Sequence, residues 1–425
     1  MLSRYYSFSE KNITIIYMLG IAGVFLNPVI GLVILSLLLV ISSDEESILI
    51  YVSSILFEPF LPEVLGNTSV LILSAIFIIR FVWKLSVKID FIQTSYIAFV
   101  FLYATRHIVD TFIYDVGFFE VFPTLVKMGI GLMIYNILNY KKIDLDKLIV
   151  IAKRYAPYLL IIATIMVFIF SNTNSPTYQF HRYKLDFTKA GLYGAIVGWF
   201  LGITVTEIVR SKSMHKISIS IIATITSFTA ISFLGTRSGV LTIIGVALIS
   251  IIVSSIKNWK KMFLTIGVLS LLLVVAFMIF PDVLDTILYR FGIIGDKEIS
   301  IETFSRQRYE VIVNYWNIIT DNGVVSLLFG NGVSNSIESV VVGKYIFEES
   351  IIHNFYLSIL SKVGIVGFLP LLYLLLIAIR NLFINGNVFA IAFAALLIAG
   401  LFTPIQSSEF VWIGLGFALV NKEEV

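Results

Sequence analysis

Long apolar runs separated by short polar links dominate the chain. The runs are continuous, and most approach the roughly twenty residues that a helix needs to cross a bilayer. A β-barrel would instead require alternating apolar and polar positions. The pattern therefore predicts an all-α polytopic membrane protein with about 12–14 transmembrane helices. The predicted spans are residues 12–26, 29–42, 47–58, 67–83, 90–106, 117–138, 155–171, 188–209, 217–234, 238–256, 262–280, 354–379, 387–402 and 408–421.

The first three runs are short. Asn27 and Pro28 interrupt the stretch 12–42, and the residue before a proline disfavours helix, so a hairpin is predicted there. Residues 47–58 are too few to span the bilayer without help from neighbouring residues, which leaves a re-entrant segment open as an alternative.

Lysine and arginine in the short links predict the orientation. With the N-terminus inside, the basic clusters all fall in cytoplasmic links, and fusing 12–42 into one span would place them outside. Both termini are then cytoplasmic, and residues 281–353 form one large extracytoplasmic loop inserted into a single membrane domain, residues 1–425. The predicted outer links hold Arg106, Arg182, Lys184, Lys189 and Arg237.

Composition narrows the function classes. The 425 residues are 58% hydrophobic and 13% charged, against about 25% charged residues in soluble domains. The net charge of +3 does not indicate a nucleic-acid partner, because the basic residues follow the membrane topology. The chain has no cysteine, which excludes disulfides, thiol chemistry and thiolate metal sites. The first apolar run lacks a small-residue cleavage site, so no cleavable signal peptide is expected.

The longest polar stretch, 301–366, is where chemistry is expected. Tyr309, Ile312, Trp316 and Ile319 recur at helical spacing and predict an amphipathic helix on or near the membrane surface.

Two arginines lie in the first turn of that helix. Ser305 can cap the helix, which places Arg306 and Arg308 beside its free amides, a favourable arrangement for an anion. Arg308 is the preferred candidate because it shares a face with Ile312, and Arg306 is the alternative. A solvated surface helix is the simpler interpretation.

Arg237 stands in FLGTRSGVL, between two glycines at a span end predicted to face outside. Such a turn offers backbone amides and a guanidinium to an anion together. The alternative is an arginine whose charged end only reaches the headgroups.

His353 begins the twelfth span, in IIHNFYL. Its ordinary pKa of about 6.5 suits it to accept a proton from a hydroxyl. Asn354 could orient it or contact a sugar, although histidine at a headgroup boundary is often only an interfacial polar residue.

Three further residues are secondary candidates. Arg182 and Lys189 lie among aromatic residues in the link 172–190, which suits sugar rings and phosphate as well as an ordinary solvated loop. Lys127 is a charge inside a predicted span, and such residues tend to face a protein interior or an aqueous cavity. The four histidines have no ligand-type spacing, so no metal site is predicted.

Three motifs resemble the O-antigen polymerase and O-antigen ligase family. The family's serine–arginine turn is similar to SFLGTRSGVLTIIGV. Its arginine, amphipathic helix and glycine turn are similar to SRQRYEVIVNYWNII followed by LLFGNGVSN. Its histidine-initiated span is similar to HNFYLSILSKVGIVGFLPLLYLLL. The likeness covers roughly residues 230–380. The link 172–190 departs from the family pattern, so Arg182 and Lys189 carry over less directly.

The resemblance implies a metal-independent, inverting glycosyltransferase of the cytoplasmic (inner) membrane, acting on its outer face without a cofactor. Such enzymes join a glycan from an undecaprenyl-diphosphate donor to an acceptor hydroxyl. Arg237 and Arg308 would contact the diphosphate, and His353 would be the base. The implied partners are lipid-linked donor and acceptor, the bilayer, a flippase and a chain-length regulator.

The function expected first is polymerisation of repeat units of O-antigen, capsule or exopolysaccharide. The alternative within the family is a ligase that transfers the glycan to lipid A–core or to a protein. A transporter of lipid-linked oligosaccharide is the alternative of another class. It would favour charges or broken helices at mid-membrane, whereas the polar residues here concentrate at the predicted outer boundary.

Overall fold

Apolar helices make up most of the described part of the chain. The computed structural model describes residues 28–60, 63–114, 117–170, 190–234, 236–256, 259–279, 323–332, 339–342, 345–348, 354–384, 386–403 and 408–421, with Ile405 and isolated residues between 281 and 320. The α-helices of this part are α1 (Pro28–Ile41), α2 (Asp44–Phe57), α3 (Glu63–Phe81), α4 (Phe91–Tyr114), α5 (Phe122–Asn139), α6 (Leu145–Phe170), α7 (Ala190–Arg210), α8 (Met214–Phe233), α9 (Arg237–Ser255), α10 (Trp259–Ile279), α11 (Gly323–Phe329), α12 (Phe355–Phe383), α13 (Val388–Gly400) and α14 (Glu409–Leu419).

These helices confirm the all-α polytopic class. Thirteen of the fourteen predicted spans coincide with α1–α10 and α12–α14, and the remaining span, 12–26, lies outside the described residues. Helix α1 begins at Pro28, where the sequence break was predicted. Proline suits the first helical turn because the amide it lacks would have no partner there.

Five of the helices in the described part are long and apolar enough to cross a membrane: Leu145–Ile169, Gly191–Arg210, Met214–Phe233, Arg237–Ser255 and Phe355–Phe383. The count of 12–14 spans therefore stays a prediction. Helix α2, the short third run, has 14 residues, and most of them are buried against protein. At 1.5 Å per residue it is about 21 Å long, so the re-entrant alternative stays open.

The last two turns of α4 differ from the predicted span. This helix continues to Tyr114, eight residues past the predicted end of its span. His107 and Asp110 are buried there, while Phe112 is 86% exposed. Polar side chains that face the protein interior lower the local hydropathy, so an apolar-run criterion ends the helix too early.

A short antiparallel hairpin was not predicted. Strands β1 (Ser339–Val342) and β2 (Tyr345–Glu348) pair with Ser339 opposite Glu348 and Val342 opposite Tyr345. The hairpin belongs to the loop 281–353, so the membrane bundle itself remains helical.

A seam of glycines brings the central helices together. Gly194, Gly198 and Gly202 are spaced four apart on α7 and therefore share one face. A Cβ on Gly194 would lie 2.6 Å from the Gly239 Cα of α9, and one on Gly202 would lie 2.8 Å from the Ala392 Cα of α13. Small residues let apolar helices approach this closely within a membrane, where packing replaces the hydrophobic effect.

Aromatic rings fill the space beside that seam. Trp199 of α7 is fully buried and stacks on Phe389 of α13 at 5.8 Å, while Phe410 of α14 meets it edge-on at 5.3 Å. Phe389 also stacks on Phe417 at 4.6 Å. These contacts fix α7, α13 and α14 as one block, to which α9 is joined by the glycines.

Ion pairs and hydrogen bonds join the links at one end of the bundle, here called the ionic end. Lys147 at the start of α6 pairs with Glu45 of α2 at 3.0 Å, and Lys153 pairs with Glu207 near the end of α7 at 3.6 Å. Arg210 donates to the Gly386 carbonyl between α12 and α13 at 3.3 Å. These are the links predicted to be cytoplasmic, and their clustering at one end agrees with the alternation of spans.

Asp44 is a well-connected acid at the ionic end. Arg80 pairs with it at 3.1 Å and also donates to the Ser42 carbonyl at 2.6 Å, and Lys84 bonds the other carboxylate oxygen. Burial raises the pKa of Asp44, but the hydrogen bonds from Lys84 and Arg80 outweigh it and hold the pKa below its ordinary value of 3.8.

We expect this acid to make stability pH-dependent. A lowered folded-state pKa contributes stability that is present above pH 3.8 and is lost as the pH falls through the folded-state value. Asp44→Asn should therefore lower the unfolding temperature at pH 7, by an effect of at most about 1 kcal/mol for a partly exposed pair. It should also flatten the dependence of that temperature on pH below 4. Thermal unfolding in detergent measures both. The same acid slope in variant and wild type would show that the Asp44 pairs do not stabilise the fold.

Candidate active site

Arg237 lies at the end of the bundle opposite the ionic end, as the first residue of α9. The cap residue before it, Thr236, has extended backbone (φ −102°, ψ 118°) and makes no side-chain capping bond. Arg237 is half-buried between two buried neighbours, Thr236 and Ser238. A helix start without a side-chain cap leaves amides available to an anion, and a guanidinium beside them adds a positive charge.

Close packing sets the position of this helix start. The α7–α9 contact at Gly194 and Gly239 brings the start of α7 beside the start of α9. A Cβ on Gly191 would lie 2.7 Å from Ser238 Oγ and 2.9 Å from Thr403 Oγ1. The beginning of α9 therefore borders the segment that joins α13 to α14.

Asn354 caps α12 and borders the same segment. Its Oδ1 accepts from the Leu357 amide at 2.9 Å, and its Nδ2 donates to the Leu401 carbonyl at 3.3 Å. Tyr356 adds a bond to the Leu397 carbonyl at 2.8 Å. The starts of α9 and α12, which carry Arg237 and Asn354, thus meet the 401–405 segment at one end of the bundle.

A glycine turn fits into a break in α12. Gly364 has left-handed backbone (φ 65°, ψ −174°) inside the helix, so carbonyls before it lose their usual amide partners. The Asn331 amide donates to the Ser361 carbonyl at 2.7 Å, and the Gly332 amide donates to the Lys362 carbonyl at 3.3 Å. The motifs LLFGNG and KVGIVG are therefore two halves of one structural unit.

The fit requires glycine on both sides. A Cβ on Gly330 (φ 78°) would lie 2.2 Å from the Lys362 carbonyl oxygen, and one on Gly364 would lie 2.3 Å from the Leu328 carbonyl oxygen. No side chain beyond hydrogen can be placed at either position without moving backbone. The turn and the broken helix are consequently held in one relative position.

Asp110 also lies beside this turn, with Arg106 paired to it, and neither residue was among the predicted site candidates. Asp110 is fully buried and pairs with Arg106 at 3.3 Å. A Cβ on Gly332 would lie 2.6 Å from Asp110 Oδ1. The sequence signal was an Arg–Asp pair four residues apart, a spacing that joins side chains on one helix face. It was missed because the predicted span ended at Arg106.

Lys127 has a structural explanation. It lies in the second turn of α5, is half-buried, and interacts electrostatically with Glu58, which follows α2. Burial disfavours a charged ammonium group, and the negative charge of Glu58 offsets part of that cost. This pair does not connect Lys127 to Arg237 or Asn354.

The other candidates, Arg182, Lys189, Arg306, Arg308 and His353, lie outside the described residues. Of the predicted amphipathic helix, the described positions Val313, Trp316, Asn317, Ile319 and Thr320 are helical. Ile319 is buried, whereas Trp316, which the spacing places on the same face, is 48% exposed, so the amphipathic face stays a prediction. Within the described part of the chain, no three His, Asp or Glu side chains are grouped to hold a metal ion.

Comparison with known proteins yields one family. Residues 222–372 match the family model described as O-antigen ligase, which confirms the resemblance found in the motifs and supports assignment to the O-antigen polymerase and ligase family. The matched region contains Arg237, the glycine turn and the broken part of α12. Members of this family are glycosyltransferase-like enzymes. No curated protein and no solved structure gives a significant match to the chain.

Proposed function

We propose that this protein polymerises undecaprenyl-diphosphate-linked oligosaccharide repeat units on the outer face of the cytoplasmic membrane. The product would be O-antigen, capsular or exopolysaccharide. The family match to residues 222–372 supports the general reaction class, a glycosyl transfer of the O-antigen ligase and polymerase type. Donor, acceptor and membrane face are parts of the proposal.

One observation carries the proposal. Arg237, the first residue of α9, and Asn354, the cap of α12, border the same segment at one end of the bundle, although 116 residues separate them in the chain. Two motifs of the family thus converge where an anionic donor could meet both. His353, the proposed base, directly precedes Asn354 in the sequence and lies outside the described residues.

The chemistry needs positive charge near the leaving group. In the proposed step, the acceptor hydroxyl oxygen forms a bond to the anomeric carbon as the bond from that carbon to the diphosphate oxygen breaks. The diphosphate leaves with the bonding electron pair and remains on the lipid. Arginine keeps its charge and binds phosphate oxygens in pairs, so Arg237 and Arg308 would stabilise this developing charge.

His353 would accept the proton of the acceptor hydroxyl as the new bond forms. Attack in one step from the side opposite the diphosphate inverts the anomeric centre. No metal takes part in this scheme, because the guanidinium groups supply the positive charge.

The second candidate is the ligase, because the family match to residues 222–372 supports both reactions and does not distinguish them. It differs only in the acceptor, which is lipid A–core or a protein instead of another lipid-linked glycan. The same arginines and histidine would serve both reactions, so the distinction depends on the acceptor that the outer loop admits.

Incubation of the purified protein in lipid vesicles with a lipid-linked repeat unit tests the reaction class. Ladders of linked units are expected for a polymerase, and transfer that requires added lipid A–core or protein indicates a ligase. Movement of unaltered donor across the vesicle membrane would instead support a transporter and contradict both.

Arg308→Ala is the residue test that belongs with this assay. The variant should reach wild-type protein levels and make no extended chains, because the leaving diphosphate loses a stabilising charge. Full-length polymer from Arg308→Ala would contradict the assigned role.

In cells, single repeat units after gene deletion indicate loss of a polymerase, and long chains left on the carrier indicate loss of a ligase.

A further inference from the structure

The carboxylate of Asp110 lies against the glycine turn with no space between them. Its side chain is fully buried, although it is only one turn from the end of α4. A Cβ on Gly332 would lie 2.6 Å from Oδ1 and 2.9 Å from Oδ2, so the turn passes directly over both carboxylate oxygens. Arg106 pairs with Oδ1 at 3.3 Å, which offsets the cost of burying the negative charge.

The glycine turn also contacts α12, so the place of the turn affects the place of that helix. The amides of Asn331 and Gly332 bond the Ser361 and Lys362 carbonyls, which form the end of the first segment of the broken helix. That segment begins at Asn354, whose side chain caps it. A continuous set of contacts therefore runs from Asp110 through the glycine turn to the helix start at the candidate site.

We propose that Asp110 is a positioning residue of the transferase, which fixes the glycine turn and thereby the helix start that carries Asn354 and, one residue earlier, His353. This inference rests on the proposed function. Asp110 itself does not touch substrate in this scheme. It acts because a break at Gly364 uncouples the first segment of α12 from the rest of that helix, so the segment needs an external contact to hold its place.

The chain offers a matched control on the same helix. Asp90 directly precedes the start of α4. It accepts hydrogen bonds from the Tyr135 hydroxyl at 2.7 Å, the Asn139 side chain at 2.8 Å and the Gln93 backbone amide at 2.7 Å. Asp90→Asn removes a hydrogen-bonded carboxylate of similar structural importance at the ionic end. Asp110→Asn keeps the side-chain shape and removes the charge beside Arg106.

Steady-state kinetics separate positioning from general loss of structure. Asp110→Asn should lower kcat by about 10²-fold, because a shift of about 1 Å in a catalytic group has such effects. The KM for the lipid-linked donor should stay within about twofold, since donor binding does not depend on the base. Asp90→Asn should leave both constants near wild type. An unchanged kcat in Asp110→Asn, or losses equal to those of Asp90→Asn, would overturn the inference.

A spin label reports the same movement without catalysis. The chain contains no cysteine, so Leu360→Cys introduces a unique label site in the segment before the break, and Leu369→Cys beyond the break is its control. Leu360 is half-buried and Leu369 is 55% exposed. Adding Asp110→Asn should raise the mobility of the label at 360 and leave that at 369 unchanged.

The two readouts distinguish the ways in which the scheme could fail. If wild-type protein transfers glycan and the label at 360 does not respond, the positioning role is wrong and the proposed function stands. If the label responds but wild-type protein transfers nothing, the proposed function is wrong, and Asp110 only holds the turn.

Discussion

Replacing Arg237 with alanine is expected to lower the rate of glycan transfer by about 10²–10³-fold, the loss typical of removing one preorganised donor to a developing negative charge. The residue begins α9 beside an N-cap without a side-chain bond, so its guanidinium and the first amides would act on one anion together. The substitution removes the charge and leaves the helix start and its glycine packing in place.

Two further variants separate the charge of Arg237 from its paired binding and from general stability. Arg237→Lys keeps the positive charge but loses paired binding to phosphate oxygens, so it should recover only part of the rate. Arg210→Ala removes an arginine at the ionic end, where both terminal nitrogens donate to the Gly386 carbonyl, and should leave transfer near the wild-type rate.

Turnover of a lipid-linked donor measures the rate, and thermal unfolding in detergent verifies that each variant is folded. A folded Arg237→Ala protein that transfers at the wild-type rate would remove Arg237 from the site. Equal losses in Arg237→Ala and Arg210→Ala would point to stability instead of chemistry.

Gly364→Ala is expected to produce the largest loss of stability. Alanine at φ 65° and ψ −174°, a backbone region essentially restricted to glycine, costs about 1–3 kcal/mol. Its Cβ would also lie 2.3 Å from the Leu328 carbonyl oxygen. Overpacking of that kind costs a further amount of about 1–3 kcal/mol. The glycine turn would be expelled from the break in α12, and transfer should fall with it.

Two other glycines separate these causes. Gly323 has φ 87° with no atom within 4 Å of an added Cβ, so Gly323→Ala should show only the backbone cost. Gly129 lies inside helix α5 with equally open surroundings, and Gly129→Ala should be neutral or stabilise the helix by up to about 1 kcal/mol. Unfolding temperatures should therefore fall in the order Gly129→Ala, Gly323→Ala, Gly364→Ala. A Gly364→Ala protein as stable as the Gly323→Ala protein would show that the turn does not occupy the break.

The membrane helices were the most predictable part of this protein. Continuous apolar runs follow directly from the absence of water in the bilayer, and the proline at 28 marked a helix start. The ends were harder where polar side chains face inward. In α4, His107 and Asp110 lower the hydropathy of residues that are nevertheless helical, so the predicted span ended near the pair that holds the glycine turn.

The residue types of the candidate site could be predicted from the sequence, but the contacts between distant parts of the chain could not. Arg237 and Asn354 could be selected because their sequence contexts offer cap groups and charge. The break at Gly364 could not, because an apolar run of this kind is usually one helix. Its left-handed backbone depends on carbonyls that Asn331 and Gly332 satisfy from thirty residues away in the sequence. Lys127 shows the reverse case, since its buried charge reflects Glu58, a partner invisible to local patterns.

The docking of the glycine turn also bears on how the sequence 333–353 can vary. Gly332 is bound beside Lys362 and Asn354 caps the same helix, so the described residues on either side of 333–353 both attach to the first segment of α12. Eight residues of helix separate those attachment points, a distance of about 12 Å. Loop length adds little entropic cost once the ends are fixed, so this segment can be lengthened, shortened or replaced with little strain on the helices. Related proteins could therefore differ in this segment while their helices stay unchanged.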